Sequence, residues 1–404
     1  MKKRTIAILL CMTTALAFTG CGKNAQAGDT QSTQGTEAEV ETYNGPSSAQ
    51  MDIDLEKQVT KLADYDKIDV TISGDYEVTD DQVQEQTLSL LPYYGITGIE
   101  VKDRDTVKDG DYVMVDYTGY HNGEAFEGGS AEDVMLDVTN NTDVVNQTGY
   151  IDGFTEGLKG AKVGDEVSSE VTFPEEYPQN EDLAGEKTTF KFKVKGIYEP
   201  VTLDKLTDDM VESAFTEEGL KTKDELLQSV EDALTSQAES SKNQDTVSAV
   251  EDYVVQNSQV DIPKDYLSAR LSEYQKQFTD QYCSDTQTLE EYLVANGTTL
   301  ADQQKSWKSA LEQQIQIEFL FGRIAELEKI EVDEDDFSQF VNYIISSSNS
   351  QMSTESDVYE YYGSGSEEDG EKYLRQLYRV NKAISHVAQN ANVTVNKETD
   401  TEEN

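Results

Sequence analysis

Apolar and polar residues alternate between Val113 and Tyr117, and this alternation predicts a β-strand. The pair Asn122-Gly123 follows, and Asn-Gly between two alternating runs is the strongest short-range signal of a β-hairpin. Downstream, the run GYIDGFTEGLKG at 149–160 predicts a short helix opened and closed by glycines. Aromatic residues recur at the ends of these elements: Tyr117, Phe126, Tyr150 and Phe154. Since no nucleophile, base or metal cluster accompanies them in the sequence, we expect an apolar pocket that binds without acid–base chemistry.

The flanking regions predict a different architecture. Residues 67–73 alternate as in a strand, and Thr79-Asp-Asp-Gln82 is a capping-box sequence ahead of a helix that should end near Leu91, before Pro92. After Pro200 the apolar spacing becomes helical. Helices are predicted to begin at Thr222, at Thr288 and near 332, and to span 250–260, 266–282, 307–330 and 373–388, before a short strand at 393–395.

Several motifs in one order resemble a known family. They are VDYTGYHNGEAFEGG at 115–129, GYIDGFTEGLKG at 149–160, VTFPEEY at 171–177, LAGEK at 183–187 and TFKFKV at 189–194. Together they resemble the FKBP-type peptidyl-prolyl isomerase domain in the form carried by the trigger factor family, over residues 105–198. The later run YVVQNSQVDIPKDYL, LEEYLVANG, a long helix and IEVDEDDF resembles that family's helical chaperone domain, with looser motifs. The resemblance implies an α+β multidomain fold: an FKBP-like antiparallel sheet wrapped on a short helix, and an all-α C-terminal domain.

The resemblance also implies the site residues and their roles. Tyr117 matches a wall tyrosine and Phe154 the pocket floor, while Ile151 matches the residue whose backbone N–H reaches the substrate carbonyl. The complete set of expected catalytic positions is Tyr117, Phe126, Glu127, Ile151, Phe154 and Phe192. The expected pocket rim is Val134, Leu136, Tyr150 and Tyr177. Two departures from the family pattern affect this rim: Tyr150 replaces a usually aliphatic residue, and the connection at 140–148 is longer than usual.

Each of these residues also has an ordinary structural interpretation. Phe154 and Phe192 could be core residues, because aromatic side chains dominate cores. Tyr117 could be an edge residue, and Glu127 could simply be solvated. The order of the motifs favours the pocket.

Charge bears on the partners. Acidic residues outnumber basic ones 80 to 32 in 404 residues, giving a net charge of −48, and such a surface repels nucleic-acid phosphates and anionic lipid headgroups. We therefore expect no nucleic-acid partner and no ribosome binding. The family's Phe-Arg-x-Gly-x-x-Pro ribosome-docking signature is also missing upstream of the isomerase-like region, so the resemblance implies a truncated, exported relative. The expected partners are unfolded exported polypeptides with X-Pro bonds.

The N-terminus predicts export and lipid attachment. Lys2, Lys3 and Arg4 precede the apolar run 6–16, which is too short to remain as a membrane-spanning helix. Phe18-Thr19-Gly20-Cys21 resembles a bacterial lipobox, and this resemblance makes Cys21 the expected lipidation site and the membrane anchor. The alternative is ordinary secretory cleavage, for which Ala25-x-Ala27 would serve.

Chemistry that requires cofactors finds little support in the sequence. After processing, Cys283 would be the one remaining cysteine, so no internal disulfide is expected. The chain's 2 histidines, His121 and His386, have no partner at metal-ligand spacing, and the acidic run 333–336 lacks the glycine and final glutamate of a calcium loop. No cofactor and no metal are expected.

These observations predict a division of the chain. The parts are a signal peptide (1–20), a flexible tether (21–50), a strand–helix linker (51–104), an FKBP-type domain (105–198), a helical chaperone domain (199–396) and an acidic tail (397–404). The predicted function is a lipid-anchored prolyl isomerase and chaperone that assists the folding of exported proteins. Two alternatives are a non-catalytic holdase that uses the FKBP-like domain only for recognition, and a solute-binding lipoprotein. The lack of a two-lobed α/β pattern disfavours the second.

Overall fold

The computed structural model describes residues 40–178, 180–284, 286–348 and 352–397. The described residues form two compact units: Tyr76–Ala238 is one, and residues 40–75 join those from 239 to 397 in the other. The strands are β1 (Val59–Lys61), β2 (Asp69–Ser73), β3 (Ile99–Glu100), β4 (Tyr112–His121), β5 (Glu124–Asp137), β6 (Thr142–Asp143), β7 (Glu166–Thr172), β8 (Lys187–Glu199), β9 (Gln259–Val260) and β10 (Asn392–Asn396). The α-helices are α1 (Leu55–Gln58), α2 (Asp80–Leu90), α3 (Asp208–Ala214), α4 (Lys223–Asn257), α5 (Lys264–Tyr282), α6 (Leu289–Ala295), α7 (Leu300–Leu327), α8 (Glu334–Ser347), α9 (Glu355–Tyr362) and α10 (Glu367–Asn390).

The unit Tyr76–Ala238, which we call the sheet unit, contains an antiparallel sheet in the order β3-β8-β4-β5-β6, with β7 also paired to β8. The β4–β5 hairpin turns at Asn122 and Gly123, whose φ angles of +52° and +86° fit a type I′ turn. The predicted hairpin is therefore confirmed. One face of the sheet buries a core that includes Val113, Val115 and Val194.

The predicted helix at 149–160 is reduced to a 3₁₀ turn, Glu156–Leu158. A Cβ atom on Gly157 would lie 2.3 Å from the carbonyl oxygen of Ser168 in β7. This close approach to the strand, together with the left-handed φ of +83° at Gly153, leaves no room for a longer regular helix there.

A second small core of the sheet unit is helical. Val83 and Leu91, from α2 and the 3₁₀ turn after it, pack with Val211, Phe215 and Leu226. The predicted α2 is confirmed, with the Thr79–Gln82 capping box in place. Because residues 206–230 contribute to this core, the first part of the predicted helical chaperone domain packs inside the sheet unit.

The other unit, which we call the helical unit, is built mainly from α5, α7 and α10, with a core around Ile315, Phe319 and Ile384. Its N-terminal and C-terminal strands pair: β2 runs parallel to β10, with Val70 opposite Val393. Half of the predicted linker 51–104 thus belongs to the helical unit. The two helices predicted from Thr222 and over 250–260 form one helix, α4, because no Gly or Pro interrupts 223–257. Three helices, α1, α3 and α9, were not predicted from the sequence.

The predicted tether is wrong over its last residues. Ser48 and Ala49 are buried, and Glu273 accepts hydrogen bonds from the N–H of Ser48 at 2.6 Å and from its hydroxyl at 2.7 Å. Small side chains and the partly buried acceptor Glu273 let this polar segment pack on α5. The signal segment 1–20, Cys21, the tether up to residue 39 and the tail from residue 398 lie outside the described residues. Within the described ranges, no helix combines the length and apolar character needed to cross a bilayer.

Candidate active site

The sheet register brings three aromatic rings together. Tyr117 in β4 lies opposite Phe192 in β8, and Phe190 lies opposite Gly119. The Tyr117 ring meets those of Phe190 and Phe192 with centroids 6.1 and 6.0 Å apart. Since residues two apart on a strand share a face, Tyr117, Phe190 and Phe192 form one aromatic surface.

Gly119 and Gly129 allow a fourth aromatic ring, that of Phe126, to pack on this surface. A Cβ atom on Gly119 would lie 2.6 Å from both the Phe126 and the Phe190 rings, and one on Gly129 would lie 2.5 Å from Phe126. Phe126 therefore rests directly on the backbone of both strands of the hairpin, with its ring 5.7 Å from that of Phe190. Only residues without a side chain permit this approach.

Asn141 joins the connection 140–148 to the site through hydrogen bonds to the segment 150–155. Its side-chain N–H group donates to the carbonyl oxygens of Tyr150 at 3.0 Å and of Ile151 at 2.9 Å, and its side-chain oxygen accepts from the Thr155 N–H at 3.1 Å. The N–H of Tyr150 in turn donates to the Asn141 carbonyl at 3.0 Å. These bonds fix the backbone on either side of Ile151. The N–H of Ile151 itself has no hydrogen-bond acceptor among the described residues.

Phe154 lies at the centre of the aromatic cluster. Its ring is edge-on to Tyr117 at 5.1 Å, Phe190 at 4.8 Å and Phe192 at 5.0 Å. The Tyr150 ring stacks on it at 4.2 Å with an interplanar angle of 4°. Only 1% of Phe154 is exposed as a result.

A cleft of about 720 Å³ opens beside this cluster. Its lining residues are Tyr117, Phe126, Glu127, Gly128, Gly129, Gly149, Tyr150, Ile151, Phe154, Phe173, Pro174, Tyr177, Asn180, Leu183 and Phe190. This volume suits a small apolar group and the residues next to it. Of the expected site residues, Tyr117, Phe126, Glu127, Tyr150, Ile151, Phe154 and Tyr177 therefore come together around one cavity.

Three expected positions lie elsewhere. Phe192 is 1% exposed and supports Phe154 from within the core. Leu136 is fully buried opposite Val113, which is four residues or roughly 13 Å along β4 from Tyr117. Val134 pairs with Val115 beyond a bulge and does not line the cleft. Leu136 and Val134 therefore lie too far along β5 to reach the cleft, and their assignment to the rim was wrong.

The sequence interpretation missed Phe173, Pro174, Leu183 and Phe190. Phe190 was detectable, because alternation along β8 gives it the same face as Phe192, two residues closer to the hairpin end. Phe173 stacks against Tyr177 at 4.9 Å and against Phe126 at 6.2 Å. The motif 171–177 contained this residue, yet only its tertiary packing assigns it to the cleft.

The lining is apolar, with one carboxylate, that of the exposed Glu127. His121 pairs with Glu186 at 3.2 Å and does not line the cleft. In the described part of the chain, no group of three or more His, Cys, Asp or Glu side chains is arranged to hold a metal ion. The cleft can therefore bind and desolvate an apolar group, and it presents one backbone N–H beside it.

The helical unit contains a cleft of another kind. A groove of about 490 Å³ between the segment 43–47, α5 and the α9–α10 connection shares Glu273, Gln277 and Tyr361 with a smaller cavity beside it. That cavity reaches the ion pair Arg270–Glu318, which is nearly fully buried and joined by two hydrogen bonds of 2.8 and 3.1 Å. Burial alone would lower the pKa of Arg270, but the Glu318 carboxylate, together with Tyr373 and Tyr266, raises it well above its usual value. Cys283, at the end of α5, is partly buried.

Comparisons with known proteins find two families that match separate parts of the chain. Residues 103–196 match the family described as "FKBP-type peptidyl-prolyl cis-trans isomerase", and residues 222–389 match "Bacterial trigger factor protein (TF) C-terminus". The trigger factor of Shouchella clausii is 29% identical over 283 residues, covering 70% of this chain and 62% of that protein. The trigger factor of Staphylococcus saprophyticus is 31% identical over 280 residues, covering 69% of this chain and 61% of that protein.

This chain therefore spans less than two thirds of the length of these relatives. A solved structure described as "Promiscuous Substrate Recognition in Folding and Assembly Activities of the Trigger Factor Chaperone" covers 81% of this chain and 71% of its own, at 16% identity. Its TM-score of 0.43 is too low to support an argument about the fold.

Proposed function

We propose that this chain, which is similar to trigger factors and matches the FKBP-type isomerase family over residues 103–196, is a peptidyl-prolyl cis–trans isomerase that also acts as a chaperone for unfolded polypeptides. The observation that carries the proposal is the aromatic cleft of about 720 Å³ with the N–H of Ile151 at its side, for which the described part of the chain offers no acceptor. The substrates would be chains with accessible X-Pro bonds.

Such a cleft can lower the barrier to prolyl rotation without a titrating group. The barrier of about 18–20 kcal/mol comes from the partial double-bond character of the C–N bond. Twisting this bond reduces its resonance and the dipole of the amide, so a dry apolar site favours the twisted amide relative to water. The Ile151 N–H would donate to the carbonyl oxygen of the rotating bond. Binding that is stronger in the transition state than in the ground state accelerates the reaction.

A protease-coupled assay on a proline-containing tetrapeptide tests this function. Tyr117→Ala removes a wall of the cleft, and we expect it to lower kcat/KM by about ten-fold or more, or roughly 1.4 kcal/mol of transition-state stabilisation. Tyr120→Ala is the matched control, because Tyr120 is on the same strand and does not line the cleft. The proposal fails if the wild-type protein gives no rate gain, or if Tyr117→Ala and Tyr120→Ala behave alike.

The second candidate is a holdase that recognises apolar segments without catalysis. The observation that favours it is the Tyr150 ring stacked over Phe154, the expected floor. Suppressed aggregation of a denatured client, without any gain in isomerisation rate, would decide for the holdase. Loss of suppression on deleting residues 76–238 would assign recognition to the sheet unit, and retention would assign it to the helical unit.

Export and lipid attachment at Cys21 complete the proposed function. The charged residues 2–4, the apolar run 6–16 and the lipobox-like sequence at 18–21 support this localisation. In cells that express the full chain, labelled palmitate should attach to the wild-type protein and not to Cys21→Ser. Equal labelling of both, or labelling of neither, would contradict a lipid anchor on Cys21. The expected clients are then unfolded proteins outside the cytoplasm.

A further inference from the structure

Tyr150 occupies the place where a ligand would otherwise meet Phe154. The two rings are parallel at 4.2 Å, and three other aromatic rings meet Phe154 in T-shaped contacts with centroids within 5.1 Å. With 1% of its surface exposed, Phe154 offers almost nothing to a ligand. Tyr150 is only partly buried and lines the cleft. A group that enters therefore contacts Tyr150.

Asp143 in the longer connection holds the Tyr150 ring in this position. The Tyr150 hydroxyl donates to Oδ2 of Asp143 at 3.4 Å, and Oδ1 of Asp143 accepts from the N–H groups of Val145 at 2.9 Å and Asn146 at 2.8 Å. The carboxylate is buried and thus fixed on both sides. Burial, with the neighbouring Tyr117 and Asp143, raises the pKa of Tyr150 well above its usual value, so the hydroxyl keeps its proton.

The connection 140–148 and the Tyr150 ring are therefore linked. This connection contains Asp143, which accepts the hydrogen bond of the Tyr150 hydroxyl. Asn141, from the same connection, fixes the carbonyl groups of Tyr150 and Ile151. This arrangement ties the position of the ring to the position of the Ile151 N–H.

We propose that the prolyl ring of a bound polypeptide lies on Tyr150 instead of Phe154, and that Asp143 is the positioning residue of Tyr150. The inference rests on the proposed isomerase function. The cleft would then be shallower than one with Phe154 as its floor by the 4.2 Å spacing of the stacked rings. The C–H groups of proline would pack on the face of a tyrosine, a contact of the kind that aromatic rings make favourably.

Kinetics of four variants test the assignment, with the tetrapeptide assay and the full chain. Tyr150→Leu removes the stacking surface, and we expect kcat/KM to fall by about ten-fold. Tyr150→Phe keeps the ring and loses the bond to Asp143, so kcat/KM should fall by only about two- to three-fold. Asp143→Ala should lower kcat/KM by a few-fold, and Asp143→Asn, which retains hydrogen-bonding atoms, should restore most of that loss. Tyr120→Leu is the control.

A second measurement reports the contact directly. A peptide with ¹³C-labelled proline, titrated with the protein, should show upfield ring-current shifts of its prolyl protons. These shifts should persist with Tyr150→Phe and collapse with Tyr150→Leu, while circular dichroism confirms that each variant is folded.

The outcomes separate this inference from the function on which it rests. A wild-type protein that neither accelerates isomerisation nor shifts the prolyl signals rejects the proposed function. If the wild-type protein is active and Tyr150→Leu keeps or increases kcat/KM with undiminished prolyl shifts, the function stands and the assignment to Tyr150 is wrong. Tyr150 would in that case be a cover over Phe154.

Discussion

The aromatic cleft of the sheet unit and the buried ion pair of the helical unit are stabilised by different interactions. Around Phe154 the neighbours are aromatic rings, so the site is stabilised by burial of apolar surface. Around Arg270 the neighbours are Glu318, Tyr266 and Tyr373, so two charges removed from water must satisfy each other. Truncating one side chain therefore has different physical consequences in the two places: it leaves a cavity in the cleft and an unpaired buried charge at the ion pair.

The largest expected effect is in the helical unit. Arg270→Met leaves the Glu318 carboxylate buried without its partner, which should lower the free energy of unfolding by about 3–5 kcal/mol. Trp307 is the chain's 1 tryptophan and packs in this unit against Tyr274 and Phe278, so its fluorescence in a urea titration follows this unit alone.

Two controls sharpen that result. The double variant Arg270→Met with Glu318→Leu removes both charges and should recover most of the lost stability. Lys276→Met breaks an exposed ion pair with Asp280 on the same helix and should cost about 1 kcal/mol or less. If Arg270→Met and Lys276→Met cost the same, the pair Arg270–Glu318 is not desolvated and the comparison fails.

A similar loss of unfolding free energy is expected in the sheet unit, where the cause is a cavity in the apolar core. Phe192→Ala opens a cavity behind Phe154, and a truncation of this type costs about 3–5 kcal/mol. Hydrogen exchange of the β4 and β8 amides measures the loss, because these strands form the centre of the sheet. Tyr177→Ala, at the partly exposed rim, should cost much less stability. Equal losses would mean that Phe192 is not the buried support of the cleft.

How far the sequence predicts these two regions follows from how each is built. Tyr117, Phe126 and Phe154 were found because the motifs that carry the family resemblance are local in the sequence, as are strand alternation and turn glycines. Leu136 was misplaced because β-bulges change the register between β4 and β5, and these appear only once the strands pair. Arg270–Glu318 gave no signal, since the pair joins residues 48 positions apart on two helices.

The same limit applies at the edges of the site. Asn141 and Asp143 lie in a polar stretch whose hydrogen bonds to the 150–155 segment depend on tertiary structure. The interpretation of the 40–50 segment as tether failed for a related reason, because composition does not reveal a distant acceptor such as Glu273. Family motifs supplied the site, and packing decided which of its members reach the cleft.

A pH dependence distinguishes the helical unit further. Burial, with a smaller effect of Asp252, raises the pKa of Glu251 in α4 from 4.5 to about 7, and its Oε1 has no hydrogen-bond partner among the described residues. Below pH 4.5 both states hold the proton, and between 4.5 and 7 only the folded state keeps it. The contribution of Glu251 to the free energy of unfolding is therefore fully present below pH 4.5 and is lost as the pH rises through 7.

Glu251→Gln removes this titration. The free energy of unfolding of the variant, relative to that of the wild-type protein, should increase by roughly 3 kcal/mol from pH 4.5 to pH 8. Urea titrations followed through the fluorescence of Trp307 measure this difference. Glu239→Gln, at an exposed position of the same helix, should show no such difference. A constant difference between wild type and Glu251→Gln across this range would mean that the carboxyl group is solvated.

The smallest expected effect concerns the seat of Phe126. Gly119→Ala places a Cβ atom 2.6 Å from the Phe126 and Phe190 rings, and such overpacking costs about 1–3 kcal/mol. Both rings line the cleft, so the strain falls on the candidate site, and the affinity for a proline peptide should fall with the stability of the sheet unit. Peptide titration by NMR and thermal unfolding measure the two losses.

Gly149→Ala is the matched control, because Gly149 also lines the cleft but a Cβ atom there has nothing within 4 Å. Its stability should change by less than about 1 kcal/mol, with a gain possible from the stiffer unfolded chain. If Gly119→Ala is as harmless as Gly149→Ala, the Phe126 ring moves freely and does not form a fixed wall. The entrance of the cleft at Phe126 would then not be rigid. The ring packing around Phe154 would still make the interior of the cleft rigid and apolar, in contrast to the polar cavity of the helical unit.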